Sequence, residues 1–84
     1  MRKNTQQIHD MLNIVVEALV DQPQEVKINT LEAMTIVVFE VSVAKYDIGK
    51  LIGRGGATIR SIRRILEGAS AKDRTNYVIQ VVED

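Results

Sequence analysis

Three glycines and an arginine, Gly53-Arg54-Gly55-Gly56, interrupt two segments whose apolar residues recur at helical spacing. No other feature constrains the chain as strongly. Glycine reaches positive φ without a Cβ penalty and lets another backbone or a ligand come close. The interruption is therefore a tight turn, either a bare corner between helices or a cradle for an anion. Arg54 at its tip, with Arg60, Arg63 and Arg64 just beyond, favours the cradle.

Before the turn, residues 45–52 suit a short helix: Asp47 favours a first turn, and Ile48, Leu51 and Ile52 share a face. Two turns do not stand alone, so this helix must dock. After the turn, residues 57–69 repeat the pattern at Ile59, Ile62, Ile65 and Leu66, with Gly68 near the expected end. Upstream, Ile8, Met11, Leu12, Val15, Val16, Leu19 and Val20 predict an amphipathic helix over residues 6–20, with Thr5 as N-cap and Pro23 beyond its end.

Alternation at residues 25–29 predicts a short edge strand, followed by a turn at residues 29–33. Residues 35–43 carry the strongest strand pattern, with Val37, Phe39, Val41 and Val43 on one face and Ile36, Val38, Glu40 and Ser42 on the other. Their apolar character on both faces predicts a central strand. A polar connection then leads to a last strand at residues 77–82. The order is α-β-β-α-α-β: an α+β domain whose three-stranded mixed sheet is covered on one face by three helices. The long connection through two helices lets the last strand lie parallel to the central one, with the first strand antiparallel on the other side.

Eighty-four residues suit one domain, here residues 1–84, and leave little room for elaborate active-site architecture. There is no cysteine, so no disulfide or zinc finger is expected, and the lone His9 makes no metal site by itself. His9 sits beside an apolar stripe as a structural residue. No apolar run resembles a signal peptide or a membrane span, and a cytoplasmic location is expected. Formal net charge is zero, but eight basic residues face three acidic ones between Lys45 and Arg74, a local balance of +5 that suits an anion.

The turn lacks the lysine and hydroxyl spacing of a Walker A loop, and it follows a helix rather than the strand of a dinucleotide fingerprint. Backbone N–H groups of Gly55, Gly56 and Ala57 lie where a helix start favours a phosphate, and Arg54 adds a charge-assisted contact. A phosphodiester backbone is the expected ligand, gripped for register rather than for sequence. Arg60, next along the chain, is the second basic candidate, and Lys50 the third. No nucleophile and base stand out, and Asp47 and Asp73 make no convincing carboxylate pair, so neither enzyme activity nor a cofactor is expected.

The run Ile52-Gly53-Arg54-Gly55-Gly56-Ala57-Thr58-Ile59-Arg60-Ser61-Ile62 resembles the GXXG signature of KH domains, and the element order is similar to their type II arrangement. With the lead-in Asp47-Ile48-Gly49-Lys50-Leu51-Ile52-Gly53, essentially the whole chain resembles the KhpA family of small bacterial RNA-binding proteins. That resemblance implies a loop gripping about four single-stranded nucleotides over a groove between the paired helices and a strand. It implies that Gly53, Arg54, Gly55 and Gly56 contact phosphates. Ile48 or Leu51, with Ile59 or Ile62, would floor the groove, and Ile79 or Val81 would edge it. Lys72 and Arg74 would occupy a loop that closes over the ligand. The family often has Lys where Arg54 stands, which keeps the charge.

The spacing of Ile48, Leu51, Ile59 and Ile62 is equally explained by burial in a core. Tyr46 and Tyr77 are candidates for base stacking or for covering a sheet edge. The resemblance further implies a homodimer, a heteromer with the larger KH protein KhpB, and a role as RNA chaperone or post-transcriptional regulator linked to cell growth, division and shape. A protein-interaction module or a ribosome-associated factor, with RNA contact secondary, is the competing expectation.

Overall fold

The computed structural model describes residues 1–83. Period-two alternation turns a strand into two unlike faces, and β2 (Ile36–Ser42) buries Val37, Phe39 and Val41 completely. It is the central strand. β1 (Lys27–Glu32) pairs with it antiparallel and β3 (Asn76–Val81) parallel, in the order β1-β2-β3. A parallel neighbour requires a crossover, which α2 (Ile48–Ile52) and α3 (Ala57–Asp73) provide. With α1 (Lys3–Leu19) they cover one face of the sheet, so the expected α+β order and mixed sheet are those observed.

The core is the meeting of three stripes with that face: Ile8, Leu12 and Val16 from α1, Leu51 from α2, and Ile59, Ile62 and Leu66 from α3, packed on Val37, Phe39, Val41, Tyr77 and Ile79. Two residues expected in the stripes lie outside it. Leu19 and Ile65 are 37% and 56% exposed, because each sits at the rim of an apolar arc wider than the surface its helix buries. The other face of the sheet is uncovered and leaves Leu31 and Ile36 largely exposed. Among the described residues no helix is long and apolar enough to cross a membrane.

Several boundaries differ from the sequence expectation: β1 starts at Lys27 rather than 25, after a 3-10 turn (Pro23–Glu25), and α2 at Ile48 rather than 45, because residues 45–47 also form a 3-10 turn. β1 runs on to Glu32 where a turn is predicted, and the turn is instead closed by the Ala33 N–H on the Ile36 carbonyl at 2.9 Å. The core side of this half-strand carries Thr30 and Glu32, since they oppose Phe39 and Val37, and polar residues there break the expected alternation. What makes Glu32 tolerable is a strap from the N-terminus. Arg2 Nε and Thr5 Oγ1 both donate to Glu32 Oε2 at 2.8 Å, while the Arg2 guanidinium also donates to the Ala33 and Met34 carbonyls. Thr5 is thus no N-cap; it is buried within the first turn of a helix that starts at Lys3.

α3 likewise passes Gly68, which faces open space, and continues to Asp73, where Arg74 stops it in a left-handed conformation with φ of 54°. Near this end Ser70 Oγ donates to the Leu66 carbonyl and accepts the Tyr77 N–H at 3.0 Å, binding helix to strand. The Tyr77 hydroxyl donates to Asp73 at 2.8 Å; burial first, and the Asp73 carboxylate second, push its pKa above the usual tyrosine range. Tyr77 therefore packs at the core, 6.3 Å from the Phe39 ring, and is not free to stack on a base. Tyr46, by contrast, is 86% exposed.

α2 has only five residues and is seated by its neighbours. Asp47, at the end of a 3-10 turn (Lys45–Asp47), is 2% exposed and accepts the backbone N–H groups of Asp21 and Gln22 at 3.2 and 3.0 Å. The carboxylate expected to favour the first turn of α2 makes no capping hydrogen bond to that helix and instead ties off the chain leaving α1.

Two outcomes follow. Replacing Asp47 by Ala strands two backbone donors, and a loss of roughly 1–3 kcal/mol is expected, read as a drop in thermal midpoint of about 4–8 °C per kcal/mol. Hydrogen bonds from Arg2, then Thr5, hold the Glu32 pKa down at about 2 against an ordinary 4.5. Since the folded value lies below the unfolded one, the strap contributes fully above about pH 4.5 and is lost as pH falls towards 2. The difference in melting temperature between wild type and Glu32→Gln is expected to be nearly constant from pH 7 to 5, to shrink steadily below about pH 4.5 and to level off only below pH 2.

Candidate nucleic-acid interface

α2 ends where Gly53 takes φ 80° and ψ 169°, a region essentially closed to side chains. Space closes it too: a Cβ on Gly53 would stand 2.7 Å from the Thr58 Cβ. The chain then makes a 3-10 turn (Arg54–Gly56) in which Gly55 and Gly56 are both left-handed, at φ 60° and 78°. Two successive left-handed residues are what the glycines supply, and Ala57 begins α3 directly after them. The predicted turn between helices stands as read.

Its donors are distributed differently from the expectation. The Gly56 N–H is spent on the Gly53 carbonyl at 3.0 Å and the Ala57 N–H on the Arg54 carbonyl, because each closes a turn of the 3-10 segment. The backbone donors that close no turn of the loop are those of Arg54 and Gly55. The Arg54 side chain is exposed and makes no hydrogen bond or ion pair among the described residues. A solvated, unengaged guanidinium at the tip of such a turn can take a phosphate in a bidentate contact.

From the turn a groove of about 430 Å³ runs between the helices and the free edge of β3, lined by Ile52, Ile59, Arg63, Val78, Ile79, Gln80, Val81 and Glu83. A shallower one of about 180 Å³ continues it past Arg63 towards Glu67 and Asn76. The floor is apolar and the rim carries both charges and an amide. An unstacked base fits such a trough, its faces on the aliphatic side chains and its edge towards polar groups.

The residues expected at the site separate into groups. Gly53, Arg54, Gly55 and Gly56 form the turn, Ala57 starts α3 beside it, and Ile59, Ile79 and Val81 line the groove. Leu51 and Ile62 are core residues that do not line the groove, whereas Ile59 and Ile79, also in the core, reach its floor. Ile48 lines a separate small cavity with Ser42, Val43, Lys45 and Val82. Lys50 Nζ is held 3.1 Å from Asp21. Arg60 turns back to donate to the Gly55 carbonyl at 2.6 Å.

Lys72 lies in the last turn of α3, and Arg74, its C-cap, stands in the two-residue connection to β3, so the expected loop that closes over a ligand is reduced to residues 74–75. Helical rise sets this end roughly 22 Å along the axis from Ala57, away from the glycine turn. Groove residues not singled out beforehand are Ile52, Arg63, Val78, Gln80 and Glu83. Arg63 was legible as one turn beyond Ile59 on the same face. Among the described residues no group of three or more His, Cys, Asp or Glu is placed to hold a metal.

Comparison with known proteins points to one family. The family model described as KhpA/KhpB, KH domain, matches residues 9–81. The RNA-binding protein KhpA of Chlamydia caviae is 36% identical over 75 residues, which cover 89% of this chain and 96% of the relative. That of Borreliella burgdorferi is 32% identical over 74 residues, 88% of this chain and 90% of the relative. That of Clostridium perfringens is 27% identical over 73 residues, 87% and 97% respectively. No solved structure matches the chain.

The loop glycines differ in what they tolerate. Gly53→Ala meets both the forbidden backbone region and the Thr58 side chain, whereas a Cβ on Gly55 meets nothing within 4 Å. Gly55→Ala is expected to cost about 1–2 kcal/mol for its left-handed backbone, and Gly53→Ala more. Chemical denaturation of the two variants side by side measures the difference.

Proposed function

The chain belongs to the KhpA/KhpB family of KH domains, and from that premise we propose that it binds single-stranded RNA through the glycine turn. One observation carries the reading: the doubly left-handed turn holds the exposed, unengaged Arg54 side chain two residues from Ile52, where the lining of an apolar groove begins. The turn grips the phosphodiester backbone. The half-buried Ile52 and Val81 take the bases over a floor closed beneath by Ile59 and Ile79, and Arg63 and Gln80 meet their edges.

A module of this size holds about four nucleotides and gains little affinity from them. Useful binding therefore draws on a second module, and the family suggests both a homodimer and a heteromer with KhpB. Effective concentration makes such pairing worth more than either site alone. Exposed apolar residues, Ile65 on α3 and Leu31 and Ile36 on the open sheet face, are compatible with association. In this reading the protein works in the cytoplasm as an RNA chaperone or post-transcriptional regulator, as a binding module rather than an enzyme. Its part in cell growth and shape would run through the RNAs it holds.

Charge reversal tests the turn. Arg54→Asp combined with Gly55→Asp puts two carboxylates at the phosphate site, in surroundings where neither meets a clash. Affinity for a short single-stranded RNA is expected to fall roughly a hundredfold or more at moderate salt, while the fold stays intact. Titration of wild type and double variant, with melting curves as the control for folding, reads both. Undiminished binding by a folded double variant would remove the turn from the interface and favour a protein-docking module.

A further inference from the structure

Arg60 was expected to reach the phosphate, yet its guanidinium is engaged within the protein. It occupies the first turn of α3, where side chains lean back towards the helix start, and Nη1 donates to the Gly55 carbonyl at 2.6 Å. Gly56 makes that path available: a Cβ there would stand 3.0 Å from the same nitrogen. Gly55 and Gly56 are the two left-handed residues of the turn, and no side chain caps the start of α3. Arg60 is thus the only side chain hydrogen-bonded to the turn among the described residues.

We propose that Arg60 is the positioning residue of the turn, setting it in its anion-ready form before RNA arrives and acting on the phosphate through the Gly55 carbonyl. Two physical effects support this role. Paired glycines sample many conformations when free, and fixing one costs about 1–2 kcal/mol per residue, a cost that a preset turn does not charge against binding. A carbonyl oxygen is also the negative end of its peptide dipole, and left bare near a phosphate it opposes the ligand. Covered by a guanidinium, it no longer does. The glycine at position 56 accordingly serves twice, as a left-handed residue and as the opening through which Arg60 reaches its neighbour.

The functional half of this proposal rests on the RNA reading above; the structural half is tested without RNA. In the free protein, the Gly56 N–H, bonded to the Gly53 carbonyl, reports closure of the turn. Its hydrogen exchange, followed by NMR, is expected to quicken about tenfold to a hundredfold in Arg60→Gln, the range for losing a charge-assisted hydrogen bond. Arg60→Lys should restore part of the protection, and Arg54→Gln should leave it unchanged. Unchanged exchange in Arg60→Gln overturns the proposal.

With a short single-stranded RNA, Arg60→Gln should weaken binding while leaving the slope of log affinity against log salt as in wild type. Arg54→Gln, which removes a phosphate contact, should lower that slope by about 0.7. A matching drop in Arg60→Gln would make Arg60 a phosphate ligand and overturn the positioning role. Should wild type bind no RNA at any salt, the functional reading fails, while the exchange result still decides whether Arg60 holds the turn. Arg60 is exposed, so Arg60→Gln is expected to fold; if its melting curve shows otherwise, the comparison of Arg60→Lys with wild type decides on the same exchange criterion.

Discussion

The Asp47 carboxylate, out of water and holding the N–H groups of Asp21 and Gln22, is the contact on which the position of the glycine turn depends. α2 is too short to hold a direction by its own hydrogen bonds. It is fixed at its start by this carboxylate and through its middle by Leu51, buried among the stripes of α1 and α3. Lys50 adds an exposed ion pair to Asp21 that contributes little by itself. Everything after α2 inherits its orientation: the placement of Gly53, the launch angle of α3, and the width of the trough that α3 leaves along β3.

Periodicity carried the fold a long way. The two faces of β2, its central place, and the parallel and antiparallel partners were all legible, because alternation and crossover length are local properties of the chain. What escaped was set by distant residues. β1 reads as ending early because nothing near Glu32 in sequence announces that Arg2 and Thr5 will meet it. α3 reads as ending at residue 69 because Gly68 inside an exposed helical face looks like a stop until the turns beyond it are tied to β3 by Ser70 and Asp73.

The site divides in the same way. Glycine spacing made the turn legible, since few other uses exist for that pattern between helices. That the Gly56 and Ala57 N–H groups are consumed by the turn was not legible, because it depends on the turn being of the 3-10 type. Neighbours Leu51 and Ile52 differ by a single step of rotation on α2, which puts one in the core and the other in the groove. The local charge of +5 likewise resolves into separate places: Arg54 and Arg63 at turn and groove, Arg60 inside the turn, Lys50 beside Asp21, and Lys72 and Arg74 at the far end of α3.

β3 pairs on one side only, so its other row of backbone groups borders the trough. A bare strand edge of this kind invites a further strand, from another molecule, to extend the sheet. The lining of the trough works against that. Arg63 and Glu67 from α3 stand along the edge, and Glu83 lies just beyond its end, so an incoming polypeptide would have to desolvate charges of both signs to pair. The edge that borders the trough is thereby guarded against sheet extension, and α3 both walls the trough and guards the edge with the same side chains.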